Sequence, residues 1–412
     1  MTVRGNATMR VTGRPARAPA PKVPLGLIAI LGGLCAFAPL SVDMYLPGLP
    51  QMTRDLGAPA SAGALTVGAF YLGMCLGQLF HGPISDRIGR RIPLLGGVTL
   101  YVLASIGCAL AGSIETLIAC RFLQALGGCA GLVVSRAVVR DRFPPQQSAH
   151  VLSTLLLVIS LGPIIAPLLG GFVLLVADWR AIFWILTAFA SVIGIATFLR
   201  LDESRSGASA REARGESPFR SYWILLREPQ VMAYALAAGC SHAGLLTYLA
   251  VSPEVLVGGF GISPQALGWL IAVNGVGLLA ANYLNRLLLV RFSYDWILRR
   301  ANLVSVAAAA GLLAAGITGF GGLWGLAVPL FVIVAAIGFT QPNAFAGAMA
   351  HDPQRAGAAS GLVGTLQFGF GAIGAAIASA LHDGTARPLG AVILCAYLVA
   401  TVSLRMLGRG KR

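Results

Sequence analysis

The sequence predicts an all-α polytopic membrane protein with twelve transmembrane helices in two six-helix bundles. Three observations carry that prediction. Of 412 residues, 57% are hydrophobic and only 11% charged, whereas a soluble domain carries charge at roughly a quarter of its positions. Apolar runs of about 18 to 25 residues, each able to cross a ~30 Å hydrocarbon core, recur from Pro24 onward. These runs are continuous rather than alternating, so helices and not barrel strands must satisfy the backbone in lipid. Basic residues collect at the ends of the runs.

The spans are expected at 24–47, 61–82, 92–112, 115–139, 150–176, 179–200, 231–258, 265–290, 297–319, 322–347, 357–382 and 387–407. Before them, residues 1–23 form a basic tail rich in Pro, Ala and Arg, a composition that favours disorder. The first apolar run is too long for a signal-peptide core and continues into "DMYLPGLP" without a small-residue cleavage site, so it reads as a retained helix. The polar stretch 201–230 divides the spans six and six, giving bundles over 24–200 and 231–407 and a basic C-terminus over 408–412. Such a division suggests parallel repeats, although the halves share no evident sequence identity. The end of the linker, "PFRSYWILLREP", suits either a short interfacial helix or a flexible tether.

The net charge of +15 could suggest a nucleic-acid partner, but the positions of the charges point to a lipid bilayer. With the N-terminus in the cytoplasm, 25 of the 30 Lys and Arg residues belong to cytoplasmic segments and the span ends beside them, Arg54, Arg180 and Arg387 fall on the opposite side, and Arg121 and Arg136 are left within a span. The excess of Lys and Arg on one side places both termini in the cytoplasm. All seven cysteines lie within spans without CxxC spacing and read as small apolar packing residues.

Four stretches carry chemistry. "GPISDRIGRR" (82–91) sits between the second and third spans. Topology explains its arginines but does not ask for Asp86, nor for Gly82 and Gly89 flanking it. "RFLQALG" places Arg121 inside the fourth span, where a charge costs at least ~2.5–3.5 kcal/mol and should face a cavity or a partner. Snorkelling to the outer surface is the alternative for Arg121 and equally for Arg136 on the other side. In the fifth span, "LGPIIAPLLGG" sets Pro163 and Pro167 one turn apart, which removes two amide donors, with Gly162, Gly170 and Gly171 leaving the helix slim. In the first, "APLSVDMYLP" puts Asp43 within two turns of the outer surface. Desolvation favours its neutral form and a cation such as Arg121 its charged form, so a change in either would load or release a proton. An exposed acid at the helix end is the plain alternative. His242 reads as a packed, hydrogen-bonded histidine or as a second proton carrier.

The spacing G-x-x-x-D-R-x-G-R-R resembles the loop signature of the major facilitator superfamily. That resemblance implies a cytoplasmic latch built from Gly82, Asp86, Arg87, Gly89, Arg90 and Arg91. Asp86 would face the N-terminus of helix 11, and Arg90 would pair with Asp141 at the end of helix 4. Arg121, Gln124 and Gly127 are similar to the superfamily's helix 4 motif, whose arginine is linked to proton coupling. The proline-glycine pattern of helix 5 resembles the mark of its antiporter branch. "DMYLP", "RAVVRD", "DWRAIFW", "YLAVSP", "QPNAFA" and "AGAASGLVGTLQF" resemble the Bcr/CflA group, exporters conferring bicyclomycin and chloramphenicol resistance. Two features depart from the pattern. The neighbourhood of Cys35 lacks the second acid that related exporters carry, so coupling would rest on Asp43. The second half keeps the arginines of "NRLLLVRFSYDW" but not the glycine and aspartate spacing.

The resemblance implies a proton-driven antiporter of the bacterial inner membrane, a functional monomer that uses the proton gradient and no cofactor or metal. A cavity lined by Tyr45, Tyr71, Gln124, Tyr248, Asn274, Gln341, Asn343 and Gln367 would be aromatic and amide-rich and would suit small, mostly neutral amphipathic molecules. Export of an endogenous metabolite and uptake by symport use the same fold. An intramembrane enzyme would need a nucleophile–base pair or metal ligands. The five histidines show no HExxH pairing, and neither G-x-S-x-G nor a phosphate-binding G-x-x-x-x-G-K-[ST] loop occurs.

Overall fold

A computed structural model of the protein describes residues 24–204, 218–352 and 355–406. The N-terminal tail, the middle of the linker and the basic C-terminus lie outside the described residues. Among those described are twelve helices long and apolar enough to span a membrane. They are α1 (Leu25–Asp43), α2 (Ala62–Ile88), α3 (Arg91–Ala109), α4 (Ile114–Arg142), α5 (Pro145–Val176) and α6 (Trp179–Arg200), then α7 (Pro229–Ser252), α8 (Pro264–Leu288), α9 (Tyr294–Thr318), α10 (Gly322–His351), α11 (Ala356–Ala380) and α12 (Arg387–Met406).

The packing repeats with an offset of six helices. In the first bundle α1 packs on α5, α2 on α4, and α3 on both α4 and α6. In the second, α7 packs on α11, α8 on α10, and α9 on both α10 and α12. The bundles meet where α2 lies along α11 and α5 along α8, two contacts that the same offset exchanges. A duplicated six-helix unit produces this relation. Helix pairing in lipid depends on small residues and close backbones rather than on particular side chains, so the repeat survives in packing where identity between the halves does not.

Several helix ends differ from the sequence reading. Gly82 and Pro83 do not stop the second span; α2 continues to Ile88. Proline there forfeits only one backbone bond, and Ser85 Oγ donates to the Gly82 carbonyl at 2.9 Å, occupying another polar group of that turn. The helix ends instead at Gly89, whose φ of 94° is open to glycine but strained for a residue with a side chain. Conversely, α1 stops at Asp43, four residues early. Pro47 and Pro50 redirect the chain into a 3₁₀ turn (Leu46–Gly48) and a short helix (Leu49–Asp55), each with proline in its first turn. Asp43 is therefore followed by further folded chain, and it is 3% exposed. The alternative of an exposed acid is excluded.

At its other end the fifth span begins at Pro145, five residues early, with proline again in the first turn. Beyond Ser252, α7 widens into a π-helical segment, Pro253–Gly259. The linker's last part is a helix, Pro218–Leu226. Leu225 is buried there, while Trp223 is exposed with the Arg227 guanidinium 4.5 Å from its ring centroid.

The proline- and glycine-rich helix α5 is wedged between α1 and α8. A side chain at Gly170 would collide with the Met44 carbonyl of α1's extension, and one at Gly268 on α8 would lie 2.8 Å from the Pro167 carbonyl. Gly162 faces Pro39 of α1, Gly275 of α8 faces Ile164 beside Pro163, and Gly171 faces Gln265, whose Nε2 donates to the Gly171 carbonyl at 3.0 Å. Alternate turns of one slim helix thus serve both its own bundle and the opposite one.

Candidate functional site

The ends of α2 and α4 and the start of α3, with the chain just beyond α6, converge on Arg90, a buried guanidinium. Its Nη1 donates to Asp86 Oδ1 at 2.5 Å and to Ser85 Oγ at 3.0 Å, and its Nε donates to Asp141 Oδ2 at 2.8 Å. The Arg90–Asp141 contact is the one the motif implied. Asp86 takes a different course. Its ion pair is with Arg90, and its charge also acts on Tyr222 of the linker helix, where burial first and Asp86 second push the phenol up. Tyr222 in turn lies against Gly361 of α11, where an added side chain would approach its hydroxyl to 2.7 Å. Among the described residues, Tyr222 thus stands between Asp86 and α11. Arg87 is exposed, and Arg91 Nη2 donates to the Phe198 carbonyl at 2.8 Å.

Glu203, from the linker, is a member of this cluster that the sequence reading missed. Its carboxylate accepts the backbone N–H groups of Arg90 at 2.9 Å and Arg91 at 3.1 Å, so an acid from beyond α6 caps the N-terminus of α3, where negative charge is favoured. A side chain at Gly89 would meet Glu203 Oε2 at 2.5 Å, so Gly89 serves both the turn and the cap. Ser204 Oγ donates to Asp141 at 3.4 Å, and Arg142 Nη2 donates to the Asp202 carbonyl at 2.8 Å. The only hint in sequence was the acidic run "LDES" directly after a span.

A second site lies within the first bundle. Arg121 is fully buried, which excludes snorkelling. Its Nη1 donates to Gln124 Oε1 at 2.5 Å and its Nη2 to the Ser41 carbonyl at 2.9 Å. The guanidinium carbon sits 4.2 Å from the ring centroid of Tyr45, 4.4 Å from Phe70 and 5.6 Å from Phe183. These rings supply cation–π attraction in a desolvated setting. Gln124 Nε2 passes on to Ser105 Oγ at 2.7 Å, Tyr101 bonds Ser41 Oγ at 2.5 Å, and Tyr45 bonds Thr66 at 2.8 Å. Arg136 is half-buried beside Cys35 and Cys129.

Asp43 is not among Arg121's partners, and no ion pair joins the two among the described residues. The helix explains this. Ser41 and Tyr45 are four residues apart and share a side, while Asp43, two residues from each, points about 200° around the axis. The charge of Asp43 acts on Tyr71 of α2 and Tyr248 of α7, two helices that touch across the junction of the bundles, and the charge of Arg121 acts on Tyr71 as well. The expected pair is thus two separate charges on opposite sides of α1.

The eight expected cavity residues also separate into groups. Tyr45 and Gln124 belong to the arginine network. Asn343 Nδ2 donates at 2.7 Å to both Asn285 Oδ1 and the Phe339 carbonyl, inside the second bundle. The others stand around the junction. Tyr71 is buried with no hydrogen bond to its hydroxyl among the described residues, and its ring lies 6.4 Å from Phe368 of α11. Tyr248 accepts from Asn274 Nδ2 at 2.9 Å. Gln367 Nε2 donates to Gln341 Oε1, and Gln341 reaches His242 of α7 at 3.2 Å. Phe70, Phe183, Tyr101, Ser105 and Ser41, which complete the arginine site, carried no signal beyond their place in apolar runs. No group of three or more His, Cys, Asp or Glu side chains able to hold a metal occurs among the described residues.

Comparison with known proteins agrees with this architecture. The pattern of the Major Facilitator Superfamily matches residues 31–375. The chain is 33% identical over 390 residues to the uncharacterized MFS-type transporter YdgK of Bacillus subtilis (strain 168), covering 93% of this chain and 96% of that one. It is 29% identical to a bicyclomycin resistance protein homolog of Haemophilus influenzae, covering 88% and 91%. It is 30% identical to a chloramphenicol resistance protein of Pseudomonas aeruginosa, covering 91% and 88%. With twelve spanning helices and these matches over most of its length, the chain is a multi-pass membrane transporter, and it belongs to the Major Facilitator Superfamily alongside relatives of the Bcr/CflA type.

Proposed function

We propose that the protein exports small, mostly neutral amphipathic compounds, phenicols or bicyclomycin among them, in exchange for protons by alternating access. It would do so as a monomer in the bacterial inner membrane, with both termini cytoplasmic, drawing on the proton gradient and no cofactor. The observation that carries this reading is Asp43, a buried carboxyl at the junction of the bundles with no cation paired to it among the described residues. Burying an uncompensated carboxylate is expensive, so such a group exchanges a proton as the cycle opens it to water on one side and then the other. Export of a neutral molecule against a proton is driven by the pH difference and by the potential, worth ~2.3 kcal/mol per charge per 100 mV. The names of two relatives support the choice of substrate class.

The test is a resistance panel in an efflux-deficient host, paired with uptake into everted membrane vesicles. Resistance to chloramphenicol, florfenicol or bicyclomycin should rise, and vesicles should accumulate the same compound until a protonophore is added. Accumulation that persists with the protonophore would refute proton coupling. No accumulation of any of the three would refute the substrate class.

The cytoplasmic cluster gives a separate expectation under the same reading. Asp86→Asn and Glu203→Gln should both reach the membrane yet transport more slowly, because each loosens the contacts around Arg90. Loss of the double cap alone should cost about 1 kcal/mol. Wild-type rates in both variants would make this cluster a topology signal and nothing more.

A further inference from the structure

The amide chain beside the junction fixes the proton on His242. The Ala238 carbonyl can only accept, so the Gln341 group 3.2 Å from it is the amide nitrogen. This orientation leaves Gln341 Oε1 to accept from Gln367 Nε2. The same Gln341 nitrogen lies 3.2 Å from His242 Nδ1, and its second hydrogen points there. His242 Nδ1 must therefore carry a lone pair, because an N–H on it would face another N–H. The imidazole is neutral and its proton sits on Nε2, which makes no hydrogen bond among the described residues. His242 is only half-buried although it lies midway along α7. The ring meets the edge of Phe368 at 6.1 Å, and Phe368 meets Tyr71 of the other bundle. The unpaired donor thus stands next to the surface where the two halves part.

We infer that His242 Nε2–H is a substrate-orienting donor, and that the substrates it selects present a neutral acceptor oxygen, such as a carbonyl or nitro oxygen, to the second bundle. The inference rests on the efflux reading. An imidazole held as a single tautomer by a fixed amide chain is a specificity device. It offers one N–H in one direction, without the charge that would favour anionic compounds. Gln341 is the positioning residue, since its amide dictates which ring nitrogen donates.

Two substitutions separate this role from simple packing. Asparagine places its amide near the Nδ1 position and leaves the Nε2 position empty, while glutamine carries an amide N–H out to the Nε2 position. With the full chain in nanodiscs and chloramphenicol as the probe, His242→Asn should weaken binding about tenfold, the worth of one neutral hydrogen bond. His242→Gln should stay close to wild type, and both variants should remain folded and monodisperse. The nitrogen-15 shifts of the wild-type imidazole should show the proton on Nε2, and Gln341→Leu should allow it to redistribute to Nδ1. Equal losses in the two His242 variants, no loss in either, or a proton on Nδ1 in the wild type would overturn the inference. Failure of the wild type to bind or accumulate any phenicol or bicyclomycin is a different result. It would overturn the efflux reading, and this inference with it.

Discussion

Asp43→Asn is expected to abolish uphill export while leaving ligand binding intact. The substitution keeps the volume and much of the hydrogen-bonding capacity of the side chain but removes its exchangeable proton. In proteoliposomes with an imposed gradient, each unit of pH difference should sustain about a tenfold substrate gradient per coupled proton, ~1.4 kcal/mol. The variant should instead only equilibrate substrate across the bilayer. It should also fold well, because Asp43 makes no ion pair that the change would break among the described residues; a drop in yield would point to a structural role. Full proton-driven transport by Asp43→Asn would move coupling elsewhere. His242 would be a poor heir, because its Nδ1 is tied to Gln341.

The position of Asp43 shows how far sequence reasoning reaches. The spans and their number were readable because lipid imposes a length and a hydrophobicity on every crossing. The Arg90–Asp141 contact was readable only through motif resemblance, since nothing local in residues 90 and 141 demands a meeting. Glu203 escaped because its role depends on where the end of α6 lies relative to the start of α3, a tertiary fact. That Asp43 and Arg121 make no ion pair among the described residues has a simpler reason. Position along a span says nothing about azimuth, and a two-residue offset from Ser41 turns the carboxyl away from the guanidinium. Proline rules misplaced helix ends in opposite directions. Pro83 lies inside α2 with only one backbone bond forfeited, while Pro47 and Pro50 each opened a new short helix.

Separating the two charges changes what Arg121 should do. Its guanidinium does not bind the carboxyl. It fastens the end of α1, through the Ser41 carbonyl and the Tyr45 ring, to Gln124 on α4, and so holds the segment that presents Asp43 to the junction. Arg121→Ala should therefore cost folding as well as transport. It strands Gln124 Oε1 and the Ser41 carbonyl, each at about 1–3 kcal/mol if left unsatisfied, and opens a void between Tyr45, Phe70 and Phe183 that adds a cavity term. Arg121→Lys keeps the charge and its attraction to the rings but cannot hold Gln124 and Ser41 at once with a planar fork. Yield and melting temperature should fall in the order wild type, Lys, Ala. The lysine variant should transport slowly yet remain dependent on the proton gradient, because Asp43 is intact. A folded lysine variant that binds chloramphenicol but has lost all proton dependence would show that the guanidinium takes part in coupling itself. An alanine variant as stable and active as the wild type would show that this network does not organise α1 at all.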